Sequence, residues 1–228
     1  MVDSAPRTLV MFDIDGTLLR SNALDDICYV RTAQSRLGDI AVNTDWAIYQ
    51  NVTNSGITTE LYQQLGLEPT PDQLEAFERA LAEDISRYLQ EQPEACQAIA
   101  GAALFVQLLQ LREDVVVAIA TGGWQRCAQI KLQHSGIPYK GLPFASASDA
   151  IEREQIMKIA CDRARQYYEI PEFADHIYIG DGVWDLEASR RLGYRFIGIG
   201  EGDSAQKLAE AGATDIFPDF HSVEFEVA

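Results

Sequence analysis

Short apolar runs alternate with helix-length segments from about residue 98 onward, and this alternation constrains the fold more than any other feature of the chain. The longest run covers residues 115–120, which are all apolar. Strands are also predicted at residues 9–12, 144–146, 177–179, 195–199 and 215–217. A strand that is apolar on both faces is typical of a parallel sheet covered by helices on both sides. We therefore predict an α/β domain with a Rossmann-like parallel sheet.

Residues 20–95 differ, because they contain helical patterns and no run of this kind. Helices are predicted at residues 24–37, 58–65 and 71–89, and in the last of these apolar residues recur at intervals of three and four. Turns are expected at residues 54–56 and 67–71. The acidic residues of the third helix are expected on a solvated face; they are Glu75, Glu78, Glu83 and Asp84. We predict a core domain of residues 1–19 and 96–228, interrupted by a helical domain of residues 20–95.

Charge and cysteine usage exclude several classes of protein. The chain has 18 basic and 35 acidic residues, a net charge of −17. Such a surface repels nucleic acids and anionic membranes, so neither is an expected partner. No apolar run approaches the ~18 residues of a membrane helix. Cysteines 28, 96, 127 and 161 have no metal-site spacing and are expected as reduced thiols. With no apolar signal segment at the start of the chain, we expect a cytoplasmic location.

Carboxylate, hydroxyl and glycine residues follow the predicted strands. Asp13 and Asp15 come after the first strand, Thr121-Gly122-Gly123 after the strand at 115–120, and Asp181 and Asp185 after the strand at 177–179. Ligands of open α/β sheets bind beyond the carboxyl ends of the strands, so these residues are expected to converge. Several carboxylates at one place raise each other's pKa unless a cation neutralises them. An all-oxygen ligand set suits Mg²⁺, which would also attract an anionic substrate.

The motif order resembles one family. Asp13-Ile14-Asp15-Gly16-Thr17-Leu18, then Thr121, a basic residue and Gly180-Asp181-Gly182-x-x-Asp185 look like the four motifs of the haloacid dehalogenase superfamily of phosphohydrolases, and of its phosphoglycolate phosphatase-like members. The resemblance covers about residues 1–19 and 96–220. It implies that the helical domain is a cap, which we expect to open and close on linkers near residues 19–22 and 92–97.

The resemblance also implies a role for each motif residue. Asp13 would be the nucleophile that forms an aspartyl phosphate, and Asp15 the general acid and base. Thr121 and the Gly122 amide would bind the phosphoryl oxygens. Mg²⁺ would be held by Asp13, the Asp15 carbonyl and Asp181, while Asp185 would orient a metal-bound water or the basic residue.

The basic residue of the third motif is either Arg153 or Lys158. The helix that contains both is predicted to bury Ile156, Ile159 or Ala160, Ala164 and Tyr167. At 100° per residue, Lys158 lies about 200° from Ile156, on the solvent face, whereas Arg153 lies about 60° from it. This geometry favours Arg153, with Lys158 as the alternative.

The function predicted from these residues is Mg²⁺-dependent hydrolysis of a phosphomonoester of a small metabolite. A dehalogenase has no need of an acid at Asp15, and a phosphonatase would need a cap lysine, which residues 20–95 lack. A phosphomutase and a non-catalytic binding protein on the same scaffold remain alternative functions. The sequence does not identify the phosphate ester that would be the substrate, or the oligomeric state. Four cap features either fill the helical core or contact substrate, namely Tyr29, Trp46, Tyr49 and residues 54–56.

Overall fold

The computed structural model describes residues 7–223, which form a parallel six-stranded sheet, a two-stranded ribbon and eight α-helices. The strands are β1 (Thr8–Phe12), β2 (Leu19–Arg20), β3 (Gln97–Ala98), β4 (Val115–Ala120), β5 (Phe144–Ala145), β6 (Asp175–Gly180), β7 (Arg195–Ile199) and β8 (Ile216–Phe217). The helices are α1 (Asn22–Leu37), α2 (Asn54–Gln64), α3 (Pro71–Glu91), α4 (Ala102–Gln110), α5 (Gln125–His134), α6 (Arg153–Tyr168), α7 (Val183–Leu192) and α8 (Asp203–Glu210). The predicted fold class is confirmed.

The six-stranded sheet has the order β5-β4-β1-β6-β7-β8, with β1 fully buried near its centre. Alternate side chains of β1 enter two different cores. Leu9 and Met11 pack in the core that contains α6 and α7, whereas Val10 and Phe12 pack in the core that contains α4. Because both faces are covered, the strand is apolar at every position, which is why its sequence shows no alternation.

The register of the central strands places the motifs side by side. Phe12 pairs with Ile119 of β4 and with Ile179 of β6. The chain positions that follow these strands therefore leave the sheet at the same edge. This edge carries the residues from Asp13, Thr121 and Asp181 onward.

The segment between β1 and β4 leaves and re-enters the core through a short ribbon. In that ribbon β2 pairs antiparallel with β3, with Arg20 opposite Gln97. Within the segment α1 packs on α3, and α3 also packs on α5 of the core. One apolar cluster runs from Val10 in the sheet to Ile85 in α3. The division into a core and a cap stays a prediction.

Two local predictions in the inserted segment are wrong. Residues 54–56, expected as a turn, are the first turn of α2, because the Thr53 hydroxyl accepts a hydrogen bond from Gly56 N at 3.1 Å and caps the helix. Glu78 and Asp84 of α3 are buried instead of solvated. Glu78 accepts from Arg126 N at 3.1 Å, since α3 packs against α5, and Asp84 pairs with Arg31 at 3.3 Å.

A third prediction fails at the end of α6. Tyr167 is 61% exposed. The neighbouring Tyr168 turns towards the sheet instead, where its hydroxyl donates to Val117 O at 2.9 Å. Tyr168 follows the buried residues Cys161 and Ala164 at intervals of three and four, so it lies on the face of α6 that packs on the sheet.

All four cysteines are buried and free. Among residues 7–223, no helix has both the length and the apolar character needed to cross a bilayer.

Candidate active site

A cavity of about 310 Å³ lies at the carboxyl ends of β1, β4 and β6. Its lining combines core residues with residues of the inserted segment. From the core come the motif residues Asp13, Thr121 and Asp181, and from the insertion come Tyr29, Trp46 and Asn54. Tyr49 is buried and lies outside this lining. The structure therefore joins both parts of the chain in one site.

Three carboxylates meet at the floor of this site. Asp13, Asp181 and Asp185 each offer an oxygen, and these oxygens lie within 4.8 Å of one another. Asp185 is completely buried, and its Oδ2 accepts a hydrogen bond from Gly182 N at 3.1 Å at the start of α7. The group is a candidate metal site composed only of oxygen ligands.

Without a cation nearby, the ionised forms of these buried carboxylates are unfavourable in free energy, and their pKa values are raised. Burial, together with the charge of Asp185, raises the pKa of Asp13 to about 7. Burial and the charge of Asp13 raise the pKa of Asp181 well above its ordinary value. Burial also raises the pKa of Asp185. A positive charge beside the group would lower these pKa values and favour the ionised carboxylates.

Gly16 allows Asp181 to approach the first motif. Its φ is +80°, and a Cβ at this position would lie 1.8 Å from Asp181 Oδ2. Thr17 Oγ1 donates to Asp181 Oδ1 at 3.5 Å. The glycine of the first motif is thus required both by the backbone conformation and by the space that Asp181 occupies.

Arg153, and not Lys158, reaches this group. Arg153 is the first residue of α6; its Nη1 lies 3.2 Å from Asp13 Oδ1 and 3.3 Å from Asp185 Oδ1. The contact with Asp13 is a hydrogen bond, whereas the contact with Asp185 Oδ1 is an ion pair without hydrogen-bond geometry. Lys158, one and a half turns further along α6, is exposed.

The side chain of Asp15 has different partners from that of Asp13. Its Oδ1 accepts hydrogen bonds from Ser21 Oγ and from Lys131 Nζ, the latter at 2.6 Å. Burial alone would raise the pKa of Asp15, but the charge and hydrogen bond of Lys131 and the hydrogen bond of Ser21 outweigh it and lower the pKa below its ordinary value. Asp15 Oδ2 faces Gly123, where an added Cβ would lie 3.4 Å away.

The loop after β4 supports the cavity wall. Gly123 N donates to Thr121 Oγ1 at 3.1 Å. A Cβ at Gly122 would lie 2.5 Å from Arg153 Nη2 and 2.8 Å from Val52 O, so a larger residue would displace both. The inserted segment bonds directly to this loop, because Asn54 N donates to Gly122 O at 2.7 Å.

Sequence reasoning missed Lys131 and its second partner, Asp25. Lys131 is 1% exposed, and its ammonium lies 2.7 Å from both carboxylate oxygens of Asp25. A signal was present, since Lys131 falls at helical spacing with the buried residues Cys127, Ala128 and Leu132 of α5. A lysine on the apolar face of a helix requires a buried partner.

Comparison with solved structures shows the same fold in other proteins. A hydrolase from Pseudomonas syringae is 22% identical over 94% of each chain, with a TM-score of 0.69. CbbY from Rhodobacter sphaeroides, solved in complex with phosphate, is 18% identical over 94% of this chain and 95% of its own, with a TM-score of 0.70. A putative β-phosphoglucomutase from Bacteroides vulgatus is 16% identical over 95% and 86%, with a TM-score of 0.66.

At these identities the likeness shows the fold alone. No curated protein matches the sequence significantly. The family model described as haloacid dehalogenase-like hydrolase matches residues 10–190, a span that contains every motif residue of the cavity floor. The chain therefore belongs to the haloacid dehalogenase-like hydrolase family.

Proposed function

We propose that the chain is a Mg²⁺-dependent phosphomonoester hydrolase that acts through an aspartyl phosphate on a small phosphorylated metabolite. One observation carries the proposal. Asp13 belongs both to the carboxylate group that can hold a cation and to the ion pair with Arg153. A carboxylate nucleophile that attacks a phosphoryl group needs a positive charge close to it and close to the phosphoryl oxygens, because both groups are negatively charged.

The residues at the floor fit a divalent cation. When ionised, Asp13, Asp181 and Asp185 carry three negative charges against the single charge of Arg153, and Asp185 Oδ1 is buried without a hydrogen bond. Asp13, Asp181 and the main-chain carbonyl of Asp15 would hold Mg²⁺, while Asp185 would orient a metal-bound water or Arg153. When bound, Mg²⁺ would neutralise negative charge on the phosphoryl group during its transfer.

In the first step, a carboxylate oxygen of Asp13 attacks phosphorus. Because Lys131 favours the ionised form of Asp15, the cycle starts from the enzyme in which Asp15 has taken up a proton from solvent. The bond from phosphorus to the ester oxygen breaks, and Asp15 gives this proton to the leaving alkoxide. In the second step, water attacks the phosphorus of the aspartyl phosphate and gives a proton to Asp15. The bond between phosphorus and the Asp13 oxygen then breaks, releasing phosphate and restoring both carboxyl groups.

The phosphoryl oxygens would bind to Thr121, to the Gly122 amide and to Arg153. Arg153 is positioned for this task by its contacts on both sides of the site, since its Nη2 also donates to Val52 O of the insertion at 2.9 Å. A guanidinium held in this way loses little conformational freedom when a phosphoryl group arrives.

The cavity's charges favour hydrolysis over a mutase reaction. Of the residues that line it, Lys131 and Arg153 are the basic ones, and each is already bonded to carboxylates. Asp25 and Asp26 add further negative charge. Transfer of a phosphoryl group to a molecule that already bears one produces a bisphosphate, and its second phosphate would face carboxylates. A monophosphate of a neutral or cationic alcohol fits this lining.

Residues 20–95 would act as a cap over the site. The links between this segment and the core include bonds to the phosphate-binding loop and to the residues before α6, because Asn54 N bonds to Gly122 O and Thr53 Oγ1 donates to Ile151 O at 2.7 Å. Helix α3 also packs on α5, and Asp25 of α1 pairs with Lys131. Opening would break these bonds, separate α3 from α5 and bend the chain at the β2–β3 ribbon. Closing would exclude bulk water from the aspartyl phosphate.

The test is hydrolysis of p-nitrophenyl phosphate and of a broad phosphate-ester panel by the purified protein, with Mg²⁺ or with EDTA. We expect turnover that requires Mg²⁺ and is abolished in Asp13→Asn. Arg153→Met should lose most turnover, while the matched variant Lys158→Met should keep it. A folded wild-type protein that hydrolyses no ester would favour the non-catalytic binding protein.

A further inference from the structure

Lys131 is the most deeply buried cation that faces the cavity, and it lies outside the four motifs. Its side chain is 2% exposed. The ammonium group lies 2.6 Å from Asp15 Oδ1 and 2.7 Å from both oxygens of Asp25. An ammonium has three N–H donors, so three acceptor oxygens satisfy it completely.

This arrangement joins three parts of the chain. Lys131 is on α5 of the core, Asp15 is in the loop after β1, and Asp25 is in the first turn of α1 in the insertion. A buried charge that loses one of its partners is strongly destabilising, so the ammonium restrains both carboxylates. Ser21, which lies between Asp15 and Asp25 in the chain, also donates a hydrogen bond to Asp15 Oδ1 and so restrains the same oxygen.

The restraint leaves Asp15 in a defined orientation. With Oδ1 held by Ser21 and Lys131, Oδ2 is the oxygen that faces Gly123 in the proposed phosphate-binding loop. A general acid must lie within hydrogen-bond reach of the leaving oxygen. If the Asp15 side chain sampled several rotamers, only a fraction of the molecules could react at any time.

We infer that Lys131, anchored by Asp25, is a positioning residue that holds the Asp15 carboxyl towards the leaving group of the substrate. The inference rests on the proposed hydrolase function. It also ties the orientation of the general acid to the start of the cap, because Asp25 moves with α1.

The experiment compares two substrates that differ in their need for a general acid. p-Nitrophenolate departs without a proton, whereas the alkoxide of glycerol 2-phosphate requires one. The ratio of their kcat/KM values reports the acid's contribution to the phosphoryl-transfer step. A defect that only lowers the amount of folded protein reduces both values by the same factor and leaves the ratio unchanged.

The informative variant is Lys131→Met with Asp25→Asn, which removes the ammonium without leaving an extra buried carboxylate. General acid catalysis is worth ~10²–10⁴ in rate. We therefore expect kcat/KM for glycerol 2-phosphate to fall at least about 30-fold further than kcat/KM for p-nitrophenyl phosphate. Asp25→Asn alone retains the pair of Lys131 with Asp15, and should shift the ratio in the same direction by a smaller factor. Lys207→Met, at an exposed lysine of α8, is the matched control.

The outcomes separate the two proposals. Equal falls for both substrates, or no fall in the double variant, would overturn the positioning role while leaving the hydrolase function in place. If the double variant does not fold, an unchanged ratio in Asp25→Asn would overturn the role in the same way. A wild-type protein inactive on both substrates would instead refute the hydrolase function, and with it this inference.

Discussion

Removing the charge of Asp13 should stabilise the metal-free protein while abolishing turnover. Asp13 is buried, with a side chain 6% exposed, and burial, reinforced by the charge of Asp185, raises its pKa from 3.8 to about 7. The shift is about three units, and each unit is worth 1.36 kcal/mol, so the ionised group costs the folded state about 4 kcal/mol. Asparagine has nearly the same shape as the protonated carboxyl and avoids this cost.

The pH dependence follows from the sign of the shift. The unfolded chain loses this proton near pH 4 and the folded protein only near pH 7. Between these values the folded state binds more protons, so its free energy of unfolding falls as the pH rises. The stability difference between Asp13→Asn and wild type should therefore be small near pH 4 and reach about 4 kcal/mol near pH 8.

Urea unfolding in EDTA at pH 5 and pH 8 measures this difference. We expect the advantage of Asp13→Asn to grow by about 3 kcal/mol between the two pH values. Asp39→Asn, at an exposed position after α1, is the control and should show no such growth. Saturating Mg²⁺ should reduce the advantage, because it stabilises the ionised wild-type site. An Asp13→Asn protein that is no more stable than wild type at pH 8 in EDTA would refute the reasoning.

Three further predictions concern other parts of the molecule. Gly16→Ala should abolish activity and weaken Mg²⁺ binding at least ten-fold by calorimetry, because its Cβ would overlap Asp181; unchanged binding would contradict this. A disulfide between Arg20→Cys and Gln97→Cys, which are opposite in the β2–β3 ribbon, should slow turnover severalfold and reversibly with reductant, and equal rates before and after reduction would argue against hinging there. His176→Phe should lose less stability than wild type between pH 7 and pH 5 in urea titrations, because burial lowers the histidine pKa and protonation then favours the unfolded chain; parallel pH profiles would count against it.

The sheet was predictable because its signal is local. A strand buried on both faces must be apolar throughout, and residues 115–120 have this property whatever their neighbours are. The start of α2 was not predictable from the same kind of signal. Asn54, Ser55 and Gly56 favour turns in isolation, and the Thr53 cap together with packing on the core is what makes them helical.

The basic residues at the site show the same contrast. The helical spacing of α6 is enough to prefer Arg153 over Lys158, since only one of them shares a face with Ile156. Helical spacing places Lys131 on the buried face of α5 but does not identify its partners. Burial of Glu78 on α3 depends in the same way on a neighbour, α5, that no local pattern specifies.

The sequence by itself determined the α/β class, the order of the motifs and their position after the strands. These follow from periodicity and from the rule that parallel strands end at one edge of a sheet. Only the tertiary structure decided which side chains meet there. Asp13 contacts Arg153 across 140 positions of the chain, and Asp15 contacts Lys131 across 116. Contacts over such separations depend on how helices pack on the sheet and on the need of each buried charge for an opposite one, which no local pattern records.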